Sequence, residues 1–137
     1  MIDSKITIRP YKAEDLKILV PDIAPGWSEV NQTSGPAITV VLDGEILLCG
    51  GLRIYGLGEA WLACSQNARE HHKKSIFEIS KEYIEKFATE KNIWRLVTSA
   101  KEGMPQSPEF IKRLGFIETN PGFFVHERYI IKDKQNG

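Results

Sequence analysis

Cysteine is scarce in this chain of 137 residues, with only Cys49 and Cys64 present, each inside an apolar stretch. Two thiols so placed supply neither a disulfide framework nor a four-ligand zinc site. They read as buried free thiols, which suits a reducing compartment and a cytoplasmic location. An excess of one charge is missing too, because eighteen Lys+Arg face eighteen Asp+Glu and the formal net charge is +0. That balance argues against a sequence-specific nucleic-acid binder working through a broad basic surface. No run approaches ~18 consecutive apolar residues, so no membrane span is expected. Residues 1–9 alternate charged and apolar types where a leader would place a basic stretch before an apolar block, and an unprocessed soluble protein is expected.

What is present is the composition of an ordinary globular domain, 42% apolar and 26% charged. The length suits one domain, expected over residues 1–131, with residues 132–137 a polar, flexible tail. Because the whole molecule carries no net field, any anionic ligand has to be held by a local patch.

Ile6-Thr7-Ile8-Arg9 alternates as a short strand up to Pro10, and Leu16, Leu19 and Val20 share a helical face that ends at Pro21. Residues 21–36, rich in Pro, Gly, Ser, Asn and Gln around Trp27, read as a long loop and a candidate cleft wall. Two apolar runs, 37–42 and 46–52, flank Asp43-Gly44, the dipeptide of a two-residue hairpin whose central positions need positive φ. Gly50-Gly51 suggests a bulge or a close backbone approach. A third strand, Glu59-Ala60-Trp61-Leu62-Ala63-Cys64, completes an antiparallel meander.

Residues 65–74 are polar and basic, and from Ser75 the apolar residues Ile76, Ile79, Tyr83, Ile84 and Phe87 recur at helical spacing. Asn92 ends this helix, and 93–98 reads as a strand. Gly103-Met104-Pro105 marks a loop. Phe110, Ile111 and Leu114 predict a short helix capped by Gly115, and 116–118 and 123–131 give two last strands. The order is mixed α/β, with the long helix as a parallel crossover between strands. The joint where that helix starts is where free amides and the helix dipole would hold an anion.

Taken together, the Ile6-Thr7-Ile8-Arg9-Pro10 opening, the Asp43-Gly44 hairpin, the Trp61-Leu62-Ala63-Cys64 strand with its helix, and the closing Phe110-Ile111-Lys112-Arg113-Leu114-Gly115-Phe116 resemble the GNAT family of acyl-CoA-dependent N-acyltransferases. The resemblance implies a single α/β domain whose mixed, mostly antiparallel sheet splays at its fourth strand, with helices on both faces. It implies acetyl-CoA as co-substrate, its pantetheine arm lying in the splay along the backbone of Leu62, Ala63 and Cys64, and an amine as acceptor. The Trp27 loop would be the acceptor-side wall. The family's pyrophosphate motif, Gln/Arg-x-x-Gly-x-Gly/Ala, falls on Arg69-Glu70-His71-His72-Lys73-Lys74, with His72 and Lys74 where the glycines stand. Cations at Arg69, Lys73 and Lys74, with Ser75 beside them, would then hold the phosphates in place of bare amides. The family's acid, a Tyr, falls on Ile111, which has no proton to give. Glu59 is the carboxylate nominated as base.

The same departures from the motif also resemble small GNAT-like phage and prophage proteins, among them an internal virion protein of short-tailed phages. That leaves a second reading, a catalytically inactive structural or binding protein with virion proteins as partners and the virion interior as its location. No metal is expected, since adjacent His71 and His72 point about 100° apart on a helix and read as a solvated helix start. Cys64 reads as a packed thiol with no His or Asp partner in sequence. Trp61, Trp94, Phe123, Phe124 and Tyr129 read as sheet core.

Overall fold

The computed structural model describes residues 5–93, 95–99 and 108–126. Seven strands form one sheet: β1 (Ile6–Pro10), β2 (Ala37–Leu42), β3 (Glu45–Ile54), β4 (Gly58–Cys64), β5 (Leu96–Ser99), β6 (Phe116–Asn120) and β7 (Phe123–His126). They lie in the order β1-β2-β3-β4-β5-β7-β6, every neighbouring pair antiparallel except β4 and β5. Among the described residues five helices connect them: α1 (Ala13–Leu19), α2 (Trp27–Thr33), α3 (Gln66–His71), α4 (Lys73–Glu90) and α5 (Pro108–Arg113). The expected mixed α/β domain is present, with α3 and α4 forming the parallel crossover. Among the described residues no helix is long and apolar enough to cross a membrane.

Strand alternation sends β4 side chains to two cores. Ala60, Leu62 and Cys64 join the larger one, with Leu47, Leu52, Ile76, Ile79, Phe87 and Phe124 beneath α4. Trp61 and Ala63 join Tyr11, Leu16 and Cys49 beneath α1. Helices therefore cover both faces of the sheet. The hairpin at Asp43-Gly44 has φ of 50° and 82°, the left-handed pair its sequence demands. Gly51 marks a close approach, since a Cβ there would sit 2.2 Å from the Pro36 carbonyl oxygen. The bulge lies elsewhere, at Leu47, where the β2–β3 register shifts between Val40 and Val41.

Two expected boundaries are corrected. Residues 21–36 are not all loop, because α2 occupies Trp27–Thr33. Gly26 (φ 89°) turns the chain, no breaker interrupts the next seven residues, and the buried Asn31 ties the helix to β3 by accepting from Arg53. The long helix starts at Lys73 and not Ser75, and a separate short helix, α3, precedes it with Ser65 as its N-cap, accepting from the Ala68 amide at 3.0 Å. Trp61 and Phe124 are buried as expected, whereas Phe123 is 61% exposed because it faces outward on β7. Trp94, Tyr129, the 103–105 loop and the tail lie outside the described residues.

Beneath α1, Asp15 is anchored three ways. Arg9 donates to both of its oxygens, at 2.7 and 2.9 Å, Thr39 Oγ1 donates at 2.7 Å, and the Lys12 amide donates at 3.0 Å. These donors hold the Asp15 carboxyl at a pKa of about 2, Arg9 contributing most. The network fixes the start of α1 against β1 and β2.

Candidate active site

The sheet opens where β4 and β5 part. Their parallel pairing comprises only Gly58 with Leu96 and Glu59 with Val97. One residue further on, a hydrogen bond runs from Thr98 Oγ1 to the Ala60 carbonyl, 2.8 Å. Past it, Trp61, Leu62, Ala63 and Cys64 pair with β3 in register from Gly51 to Leu48, while β5 pairs onward with β7.

On the α4 side of the opening lies a cleft of about 520 Å³ bordered by Leu62, Cys64, Ala68, Arg69, Lys73, Lys74, Ile76, Phe77, Glu109, Phe110 and Arg113. Four cations face one carboxylate there, a strong local bias in a chain of zero net charge. Lys73 and Lys74 open α4, where the dipole disfavours cations and no acidic residue offsets them. The first intrahelical bond runs from the Ile76 amide to the His72 carbonyl at 3.0 Å, and His72 offers no side-chain cap. The amides of Lys73, Lys74 and Ser75 thus stand at the helix mouth. A break of local rules at a cleft is what an anion site produces, since the bound charge offsets the cost.

Of the residues expected at the cofactor, this cleft gathers Leu62, Cys64, Arg69, Lys73 and Lys74. Ser75 sits in the first turn of α4, outside the lining, and Ala63 points to the opposite face. Glu70 turns away, accepting from Gln66 Nε2 at 2.8 Å, and neither it nor His72 borders the cleft. The residue at the first glycine position therefore does not fill the approach. Burial pushes the Cys64 thiol up, partly opposed by Arg69.

On the α1/α2 side is a second cleft, about 200 Å³, bordered by Leu16, Val20, Ile23, Trp27, Asn31, Arg53, Trp61, Leu62 and Ala63. Arg53 organises its polar end, donating from Nη1 to Asn31 Oδ1 at 2.7 Å and from Nε to Glu59 Oε1 at 3.0 Å, with its guanidinium 5.4 Å from the Trp27 ring centre. Glu59 is on this side of β4, also accepting from the Tyr55 hydroxyl at 3.1 Å. It meets the cleft through Arg53 and does not line it. Leu62 borders both clefts and also a narrow apolar slot of about 40 Å³ beneath α4, which Ile111, 2% exposed, lines too.

Sequence reasoning missed Arg53, Asn31 and Arg113. Arg53 is an outward residue at a strand end, and Asn31 lay in the supposed loop. Arg113 follows from α5 packing across the opening, its guanidinium 4.9 Å from the Phe77 ring centre. Among the described residues no group of three or more His, Cys, Asp or Glu could hold a metal.

No family model and no curated protein matches the chain. Solved structures do. A GNAT family acetyltransferase from Elizabethkingia anophelis, crystallised with acetyl-CoA bound, is similar with a TM-score of 0.63 and 21% identity, over 86% of this chain and 80% of that one. The fold is that of the GNAT acetyltransferases. An acetyltransferase from Streptococcus agalactiae gives 0.66 at 12% identity, over 90% and 97% of the two chains. A variant of the spermidine N-acetyltransferase SpeG from Vibrio cholerae gives 0.64 at 12%, over 96% and 99%.

Proposed function

We propose that this protein transfers an acyl group, in the first place acetyl from acetyl-CoA, to an amine by direct attack. The observation that carries the reading is the position of Leu62 on β4, a residue that borders a cationic cleft on one face of the strand and a largely apolar cleft on the other. Two reactants bound on opposite sides of the opening would meet there, which converts an encounter into a positioned reaction.

Arg69, Lys73, Lys74 and Arg113, with the mouth of α4, hold the diphosphate of the co-substrate, and Ser75 lies beside them. Charge-assisted contacts replace the bare amides that glycines would expose. The backbone of Leu62, Ala63 and Cys64 orients the thioester carbonyl. Glu59, or a water it holds, takes the proton from the ammonium. The amine nitrogen then forms its bond to the carbonyl carbon while the carbon–sulfur bond breaks. Ile111 supplies no acid, and none is required, because a thiol of pKa about 8.5 leaves as its thiolate and takes a proton from water. The inactive reading, with virion partners and a virion interior, draws no support from the solved structures above, which are acetyltransferases.

The test is release of free thiol from acetyl-CoA across a panel of amines. Amine-dependent release is expected, with Glu59→Gln lowering kcat by about 100-fold, the lower end of general-base effects. Release no faster than hydrolysis with every amine overturns the reading.

A further inference from the structure

The second cleft carries its own chemical preference, and its assignment as the acceptor side rests on the acyl-transfer reading. Its wall is apolar from Leu16, Val20, Ile23, Trp27, Leu62 and Ala63. Its polar side chains are Asn31 and Arg53, with an indole N–H on each of Trp27 and Trp61. The side-chain oxygen of Asn31 is already engaged by Arg53 Nη1 at 2.7 Å. Arg53 also spends Nε on Glu59, so that Nη2 takes part in neither of these two bonds while the residue lines the cleft. The indole Nε1–H of Trp61 is buried without a hydrogen-bond partner, and the residue as a whole is 8% exposed. So the polar side chains offer N–H donors, and among the described residues no carboxylate lines the space.

A guanidinium held on two edges presents its third in fixed geometry, suited to a carboxylate or carbonyl oxygen. A polycation meets the opposite situation, with Arg53 in the wall and the Glu59 carboxylate, which does not line the cleft, already held by Arg53 and Tyr55. Size narrows the choice, since about 200 Å³ is below the roughly 300–1,000 Å³ of pockets for drug-sized ligands.

We propose that the acceptor is a small amine with an apolar body and a carboxylate or carbonyl oxygen near its amino group, an apolar α-amino acid in chemical class, and that polyamines are refused. Glu59 and Asn31 position Arg53, and Arg53 reads the oxygen.

The experiment compares kcat/KM for leucine and phenylalanine with isoamylamine and phenethylamine, which lack only the carboxylate, and with spermidine. The amides of the two amino acids separate recognition of a carboxylate from that of a carbonyl. A preference of at least about tenfold for the oxygen-bearing compounds is expected, and Arg53→Gln should erase most of it while acetyl-CoA still binds. Arg53→Lys, which keeps the charge and removes the planar fork, should reduce the preference even if Arg53→Gln fails to fold. A parallel thermal-shift titration with the amino acids alone reads the cleft without chemistry. Amino-acid binding without acetyl-CoA binding would overturn the acyl-transfer reading and leave the cleft assignment standing. Equal or better use of spermidine or the decarboxylated amines overturns the proposal and leaves acyl transfer standing. Amino acids that neither bind nor react overturn it as well.

Discussion

Thr98 Oγ1 donates to the Ala60 carbonyl at 2.8 Å, one residue past the last β4–β5 pair, Glu59 with Val97. This side chain stands in for the next rung of the ladder and sets where the sheet opens. Thr98→Val keeps the shape and leaves the carbonyl unpaired. The expected cost is about 1 kcal/mol, read as a fall of a few degrees in Tm, with Thr98→Ser retaining most of the stability.

The anchoring of Asp15 makes stability depend on acid. Its carboxyl is held at about 2, below the ordinary 3.8, chiefly by Arg9. The folded state thus binds the proton more weakly than the unfolded chain does. The stabilisation is complete above about pH 5 and fades as pH falls through 4 toward 2, amounting to about 2 kcal/mol. Urea midpoints measured from pH 6 to 2.5 should drop over that window. Asp15→Asn should start lower and show a flatter decline.

Cys49 and Cys64 should differ in reactivity. Cys49 is fully buried beside Thr39, its thiol pushed up to about 12 by burial, and it is expected to resist alkylation while the protein stays folded. Cys64 borders the cationic cleft, with its thiol also raised. Slow labelling by iodoacetamide at Cys64 alone is expected, slowed further by acetyl-CoA, with mass spectrometry locating the adduct. Labelling indifferent to acetyl-CoA would count against that cleft as its site.

Much of the fold was legible from residue types. Asp43-Gly44 fixed its turn because both positions need positive φ, and Gly115 (φ 105°) capped α5 for the same reason. Arg69, Lys73 and Lys74 were legible as a local patch because a neutral chain leaves no other source of field. The start of α4 was misplaced by two residues because lysines at a helix N-terminus oppose the dipole, and local propensity argues against what the cleft favours. Helix α2 escaped notice because burial of Ser28 and Asn31, a tertiary effect, stabilises a segment whose composition reads as loop. Arg53 was invisible for a related reason, since its importance comes from Asn31 and Trp27, 22 and 26 positions away.

The most direct test of the cationic cleft is a calorimetric titration of acetyl-CoA into the protein at low salt, beside the variant carrying both Arg69→Ala and Lys73→Ala. One saturable site is expected, weakened at least about tenfold in the variant, or about 1.4 kcal/mol, and weakened by added salt. No heat of binding at millimolar acetyl-CoA, or equal affinity in the variant, would contradict it.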